Sequence, residues 1–117
     1  MILCIVDDLM FTSKLSTTAK ALHQTLSFER APGKVLARVR GEHPSLVIFD
    51  LNSARLRPME AIAAIRADPE LRGVRTLGYV SHVDADVIAA ARNAGIDEVL
   101  ARSAFVERLG DILASAP

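Results

Sequence analysis

Residues 47–58 read VIFDLNSARLRP. The apolar run Val47-Ile48-Phe49 stops at a carboxylate, Asp50, and Pro58 stands where a first-turn proline opens a helix. The stretch reads as strand, loop, helix, with Asp50 at the carboxyl end of the strand. An Asp at such a place commonly caps a turn or a helix. Its role therefore depends on what else gathers there.

Five strand-length apolar segments lie along the chain: 2–6 (ILCIV), 26–30 (LSFER), 46–49 (LVIF), 74–80 (VRTLGYV) and 97–101 (DEVLA). Between them apolar residues recur at helical spacing: Phe11, Leu15 and Ala19; Val35, Leu36 and Val39; Met59, Ile62, Ala63 and Ile65; Val87, Ile88, Ala91 and Ala94. A fifth helix is predicted on Phe105, Val106, Leu109, Ile112 and Leu113, with Ser103 as its N-cap. Asp68-Pro69 closes the third helix and Gly95 ends the fourth. Segments one, three and four are nearly continuous apolar runs, as strands are when helices cover both faces of a parallel sheet. LSFER alternates and reads as an edge. The fold class is α/β, a doubly wound (βα)5 flavodoxin-like chain with strand order 2-1-3-4-5 and ligands at the carboxyl ends of strands one and three.

Composition bounds the function. The chain has 117 residues, enough for one domain, and its 14 basic and 14 acidic side chains cancel. Half the residues are hydrophobic, which argues against disorder. Basic residues are scattered, Trp is absent and Tyr79 is the one tyrosine, so a nucleic-acid role finds little support. The single cysteine, Cys4, allows no disulfide, and its strand position predicts a buried, unreactive thiol. No apolar run is long enough for a membrane span, so a soluble, cytoplasmic protein is expected.

The predicted topology turns scattered residues into neighbours. Asp7 and Asp8 end strand one, Asp50 ends strand three, Ser81 ends strand four and Arg102 ends strand five, so all five should ring one crevice. Crowded carboxylates repel and raise one another's pKa unless a cation is present. A hard divalent ion such as Mg²⁺ answers that need, held by one or two carboxylates with water and phosphate oxygens. With the ion in place Asp50 could attack phosphorus, Ser81 could hydrogen-bond a phosphoryl oxygen and Arg102 could pair with another.

The ordered set ILCIVDD, LVIFDLN, LGYVS and GIDEVLARSAF resembles the receiver domain of two-component response regulators across essentially the whole chain. The resemblance implies one receiver-like domain over 1–117 without an output domain, in which Asp50 accepts a phosphoryl group from a histidine kinase or phosphotransfer protein. It further implies Mg²⁺ held by Asp7, Asp8, Asp50 and the backbone carbonyl of Asn52, and Ser81 as the switch hydroxyl that repacks the surface read by a downstream protein.

Several positions depart from that pattern. Arg102 holds the place of a lysine, and its planar fork is no equivalent of a compact ammonium. Val99 stands where an aromatic would change rotamer. The loop after Asp50 carries Ser53, Ala54 and Pro58 in place of Met, Pro and Gly. Ser103 replaces a proline, which removes the reason for the cis peptide bond found there in the family. Two functions stay open: a receiver phosphorylated at Asp50 that acts in a phosphorelay, or a phosphorylation-independent pseudo-receiver that binds proteins. An exposed apolar patch on the fourth and fifth helices would favour the second and permit homodimers.

Other assignments fare worse. VDDLMF has no glycine, which disfavours a dinucleotide-binding or Walker-A enzyme. A haloacid-dehalogenase-type phosphohydrolase needs an acid–base Asp where Asn52 stands. Asp7 and Asp8 taken singly could be a turn and an N-cap, Ser81 could cap the fourth helix in competition with Asp84, and Arg102 could be a solvated charge. His82 lies at the predicted rim, while His23 and His43 lack zinc spacing. Phe11 is expected to pack, and Met10 to stay exposed beside the pocket.

Overall fold

The computed structural model describes residues 1–116. Its strands are β1 (Ile2–Ile5), β2 (Leu26–Phe28), β3 (Leu46–Asp50), β4 (Arg75–Val80) and β5 (Glu98–Ala101), all parallel, in the order β2-β1-β3-β4-β5. The helices are α1 (Leu9–Ala21), α2 (Val35–Glu42), α3 (Pro58–Ala67), α4 (Ala85–Ala94), α5 (Arg102–Glu107) and α6 (Leu109–Ser115).

Strand periodicity builds two apolar layers. Ile2, Cys4, Leu46, Ile48, Leu77 and Tyr79 face α1, α5 and α6, meeting Phe11, Leu15, Phe105 and Leu113. Leu3, Ile5, Val47 and Phe49 face the other way, onto Val35 and Val39 of α2, Ile62 and Ile65 of α3 and Ala91 of α4. Each large side chain buried this way contributes about 1.5–3 kcal/mol. The central strands are therefore almost wholly apolar, the buried exception being Thr76 of β4, whose hydroxyl donates to Asp97. β2 is the edge: its three residues are only half-buried. Arg38 of α2 covers it, donating from Nη1 to the Phe28 carbonyl at 2.7 Å and from Nη2 to Ser27 Oγ at 2.5 Å.

Two local expectations need correction. The last helical stretch is two helices, α5 and α6, interrupted at Arg108 (φ −95°, ψ 4°), with Gly110, a weak helix former, in the next turn. The apolar periodicity runs straight through because one distorted residue leaves the buried face unchanged. Ser103 is no N-cap: α5 starts at Arg102, Ala101 precedes it, and no side chain caps that end. The cap of α4 is Asp84, which accepts from the Asp86 and Val87 N–H groups, so Ser81 is free of that duty. The αL turn predicted after α4 is present at Gly95 (φ +102°). Among the described residues no peptide bond is cis.

Candidate functional site

Sheet register assembles the site. Ile5 pairs with Phe49, Asp50 with Tyr79 and Val80 with Ala101, so the carboxyl ends of β1, β3, β4 and β5 finish nearly level. Asp7 and Asp8, Asp50, Ser81 and Arg102 follow directly, all on that edge.

Asp8 is the N-cap of α1. Its Oδ1 accepts from the Met10 N–H at 2.9 Å and the Phe11 N–H at 3.2 Å, while Oδ2 lies 3.5 Å from Arg102 Nη2. Asp7 is held by a different cation: Arg55 Nη2 and Nε both point at Oδ2, at 2.6 and 2.8 Å, and Arg30 Nε stands 4.0 Å from Oδ1. Asp50 is half-buried, and its Oδ1 accepts from the Asn52 N–H at 3.1 Å. Burial raises the Asp50 carboxyl above the usual carboxylate range. The Asn52 N–H and the Arg102 charge work against that rise, and the charges of Asp8 and Asp7 add to it.

Ser81 is exposed and reaches the site through its backbone. Asn52 Oδ1 accepts from the Ser81 N–H at 2.5 Å and from the His82 N–H at 3.2 Å, which fixes the start of the β4–α4 loop against the loop after β3. Arg102 is only half-exposed, and its guanidinium carbon lies 4.6 Å from the centre of the Phe11 ring. Phe11 in turn packs on Tyr79 at 4.9 Å and Phe105 at 5.8 Å between centroids. Arg102 thus rests on an aromatic floor and leans toward Asp8. Val99 packs in the opposite layer, with the α3 and α4 side of the sheet. Burial pushes the Cys4 thiol and the Tyr79 phenol far up, which makes both inert at neutral pH.

The donor set suits a hard divalent ion in kind. The charges of Asp7 and Asp8 both act on Asp50, and the Arg102 charge opposes them. Among the described residues, however, no three His, Cys, Asp or Glu side chains gather closely enough to hold a metal ion. Asp7 is paired with Arg55, and Asp8 is shared between the α1 N-terminus and Arg102. Mg²⁺ needs only one or two carboxylates and keeps much of its water, so Asp8 and Asp50 with the Asn52 carbonyl remain a fitting set.

Beside the crevice lies an open groove of about 430 Å³ between the α3 N-terminus and α4, bordered by Leu51, Pro58, Met59 and Val87. The large apolar side chains most exposed are Leu9, Met10 and Val83, all in the segments flanking the crevice, and Leu22 at the far end of α1. The apolar patch looked for on the fourth and fifth helices is not among them.

No protein-family model and no curated protein sequence matches the chain. Solved structures do. A response regulator from Hahella chejuensis superposes with TM-score 0.85 at 20% identity, over 97% of this chain and 91% of that one. The fold is the receiver fold. Also similar is the receiver domain of the sensor histidine kinase PA1611 from Pseudomonas aeruginosa, solved with a magnesium ion in its active-site cleft (TM-score 0.83, 16% identity, 98% and 94% covered). The phosphorylated cyanobacterial phytochrome response regulator RcpA matches at TM-score 0.71 and 22% identity over 97% and 88%. In this receiver fold the five sequence-predicted residues do share one edge, but two of the aspartates sit in arginine pairs. Sequence reasoning missed Arg30, Arg55, the Asn52 side chain and the Phe11 ring under Arg102. Helical spacing marked Phe11 as a packing residue but not as the support of Arg102, and no periodic or spacing signal marks Arg30, Arg55 or the Asn52 side chain, which lie outside the regular strands and α-helices.

Proposed function

We propose that the chain is a phosphoryl-accepting receiver module in which Asp50 is the acceptor. The observation that carries the proposal is the placement of Asp50: a half-buried carboxylate at the end of a central strand, facing the charges of Asp7, Asp8 and Arg102. Oδ1 is engaged by the Asn52 N–H, and no protein donor to Oδ2 is found among the described residues. Oδ2 is therefore the nucleophile: it forms the new bond to phosphorus as the bond from phosphorus to the donor's leaving atom breaks, in line with the attack. Mg²⁺ when bound, on Asp8, Asp50 and the Asn52 carbonyl with Asp7 beside them, would supply the positive charge that offsets the phosphoryl oxygens. Arg102 would pair with one of those oxygens and the Ser81 hydroxyl would donate to another. A histidine kinase or phosphotransfer protein is the donor this chemistry calls for, and the cytoplasm is where such donors act. The Ser81 loop would carry the change to a downstream protein partner.

The arginine pairs favour a second reading. Arg55 and Arg102 bring positive charge to Asp7 and Asp8, as expected of a pseudo-receiver that works as a protein-binding module or homodimer. Intact-protein mass after incubation with acetyl phosphate, with and without Mg²⁺, separates the two. A single Mg²⁺-dependent adduct of one phosphoryl group, lost in Asp50→Asn, supports the acceptor role. No adduct in any condition selects the binding module.

A further inference from the structure

We propose that Arg55 is a built-in competitor for the cation site: its guanidinium neutralises the Asp7 carboxylate beside that site and opposes the entry of a divalent ion. The inference rests on the reading of the acidic crevice as a Mg²⁺ site.

Arg55 belongs to a short 3₁₀ turn, Ala54–Leu56, whose backbone is fixed on both sides. The Ser53 N–H donates to the Asp50 carbonyl at 3.4 Å, the Leu56 N–H to the Ser53 carbonyl at 3.1 Å and the Arg57 N–H to the Ala54 carbonyl at 3.1 Å. Leu56 is wholly buried, and Arg57 takes a left-handed conformation (φ 46°) ahead of Pro58. The loop thus delivers the side chain of Arg55 to the crevice from a rigid base. The side chain itself is free to go, since it is more than half exposed and can swing into water.

A surface ion pair ordinarily contributes little. This one differs in where its carboxylate sits. Both Arg55 nitrogens converge on Asp7 Oδ2, and the Asp7 charge is felt at Asp50, so what neutralises Asp7 alters the charge balance of the whole crevice. A divalent ion entering there meets a neighbouring carboxylate already neutralised and an extra positive charge at close range. Removing Arg55 relieves both penalties, and the two together correspond to about a tenfold gain in Mg²⁺ affinity.

Isothermal titration with MgCl₂ on the full chain, Arg55→Gln and Arg55→Lys tests this, with circular dichroism to verify folding. The expected result is about tenfold tighter binding in Arg55→Gln and an intermediate value in Arg55→Lys, which keeps the charge but loses the fork. In parallel the Arg55 Nε–H resonance of the unmutated chain should shift as Mg²⁺ saturates. Equal affinities, or an Nε–H signal that stays in place at saturation, overturn the competitor role and leave the Mg²⁺ reading intact. Should none of the three proteins bind Mg²⁺, both the competitor and the metal-dependent acceptor are wrong.

Discussion

Asn52 ties Ser81 to the loop that carries Asp50: one side-chain oxygen accepts from two successive N–H groups, Ser81 at 2.5 Å and His82 at 3.2 Å. The loop after β3 and the start of the β4–α4 loop are thereby coupled through a single amide. Asn52→Ala should cost about 1 kcal/mol and raise amide exchange selectively at Ser81 and His82, measured by hydrogen–deuterium exchange. Unchanged protection at those two amides would remove the tie.

Asp50 predicts a pH effect of definite sign. Its folded carboxyl is raised by burial, so between the ordinary and the raised value the folded chain holds more protons than the unfolded one. The stability contributed by the protonated form is present below the ordinary range and is lost as pH rises through the folded value. Asp50→Asn should therefore raise Tm at neutral pH and flatten that part of the stability profile, followed by thermal melts across pH 3 to 7 (roughly the carboxylate window). A variant melting below the parent at pH 7 would contradict the direction.

The neighbouring aspartates should separate by role. Asp8 caps α1 with two hydrogen bonds, so Asp8→Ala is expected to lose about 1 kcal/mol in urea unfolding. Asp7 caps nothing, and Asp7→Ala should stay within about 0.5 kcal/mol of the parent.

Arg102 is held over the Phe11 ring and near Asp8. Arg102→Lys gives up the stacked plane and frees a compact ammonium for the phosphoryl group. Faster labelling by acetyl phosphate is expected, read by intact mass against time; an unaltered rate would make Arg102 a bystander in transfer.

Gly78 lies under Leu51. A methyl group there would come within 2.6 Å of Leu51 Cδ1 and 2.9 Å of Ile96 Cδ1. Gly78→Ala should cost about 1–3 kcal/mol and displace the segment leading to Asn52, lowering Tm and weakening protection at Ser81 together.

The fold was legible because its strands are buried on both faces: Val47, Ile48 and Phe49 have no polar alternative, and the order 2-1-3-4-5 followed from the half-polar β2. The common edge of Asp7, Asp8, Asp50, Ser81 and Arg102 followed from topology alone. What stayed hidden depends on side-chain reach. Arg55 meets Asp7 from a 3₁₀ turn in the loop after β3, and no pattern of hydrophobicity encodes that path. The Ser103 cap failed for a related reason, since the helix begins immediately after β5 and leaves no extended residue for Ser103 to occupy.

Arg38 has a consequence for how the protein behaves when crowded. The outer side of β2 is where a parallel sheet would otherwise recruit another chain, and the guanidinium that holds Phe28 and Ser27 also pairs with Glu42 and Glu29. A charged cluster along the rim of a three-residue strand discourages edge-to-edge stacking. Aggregation in concentrated solution is resisted at this border of the sheet.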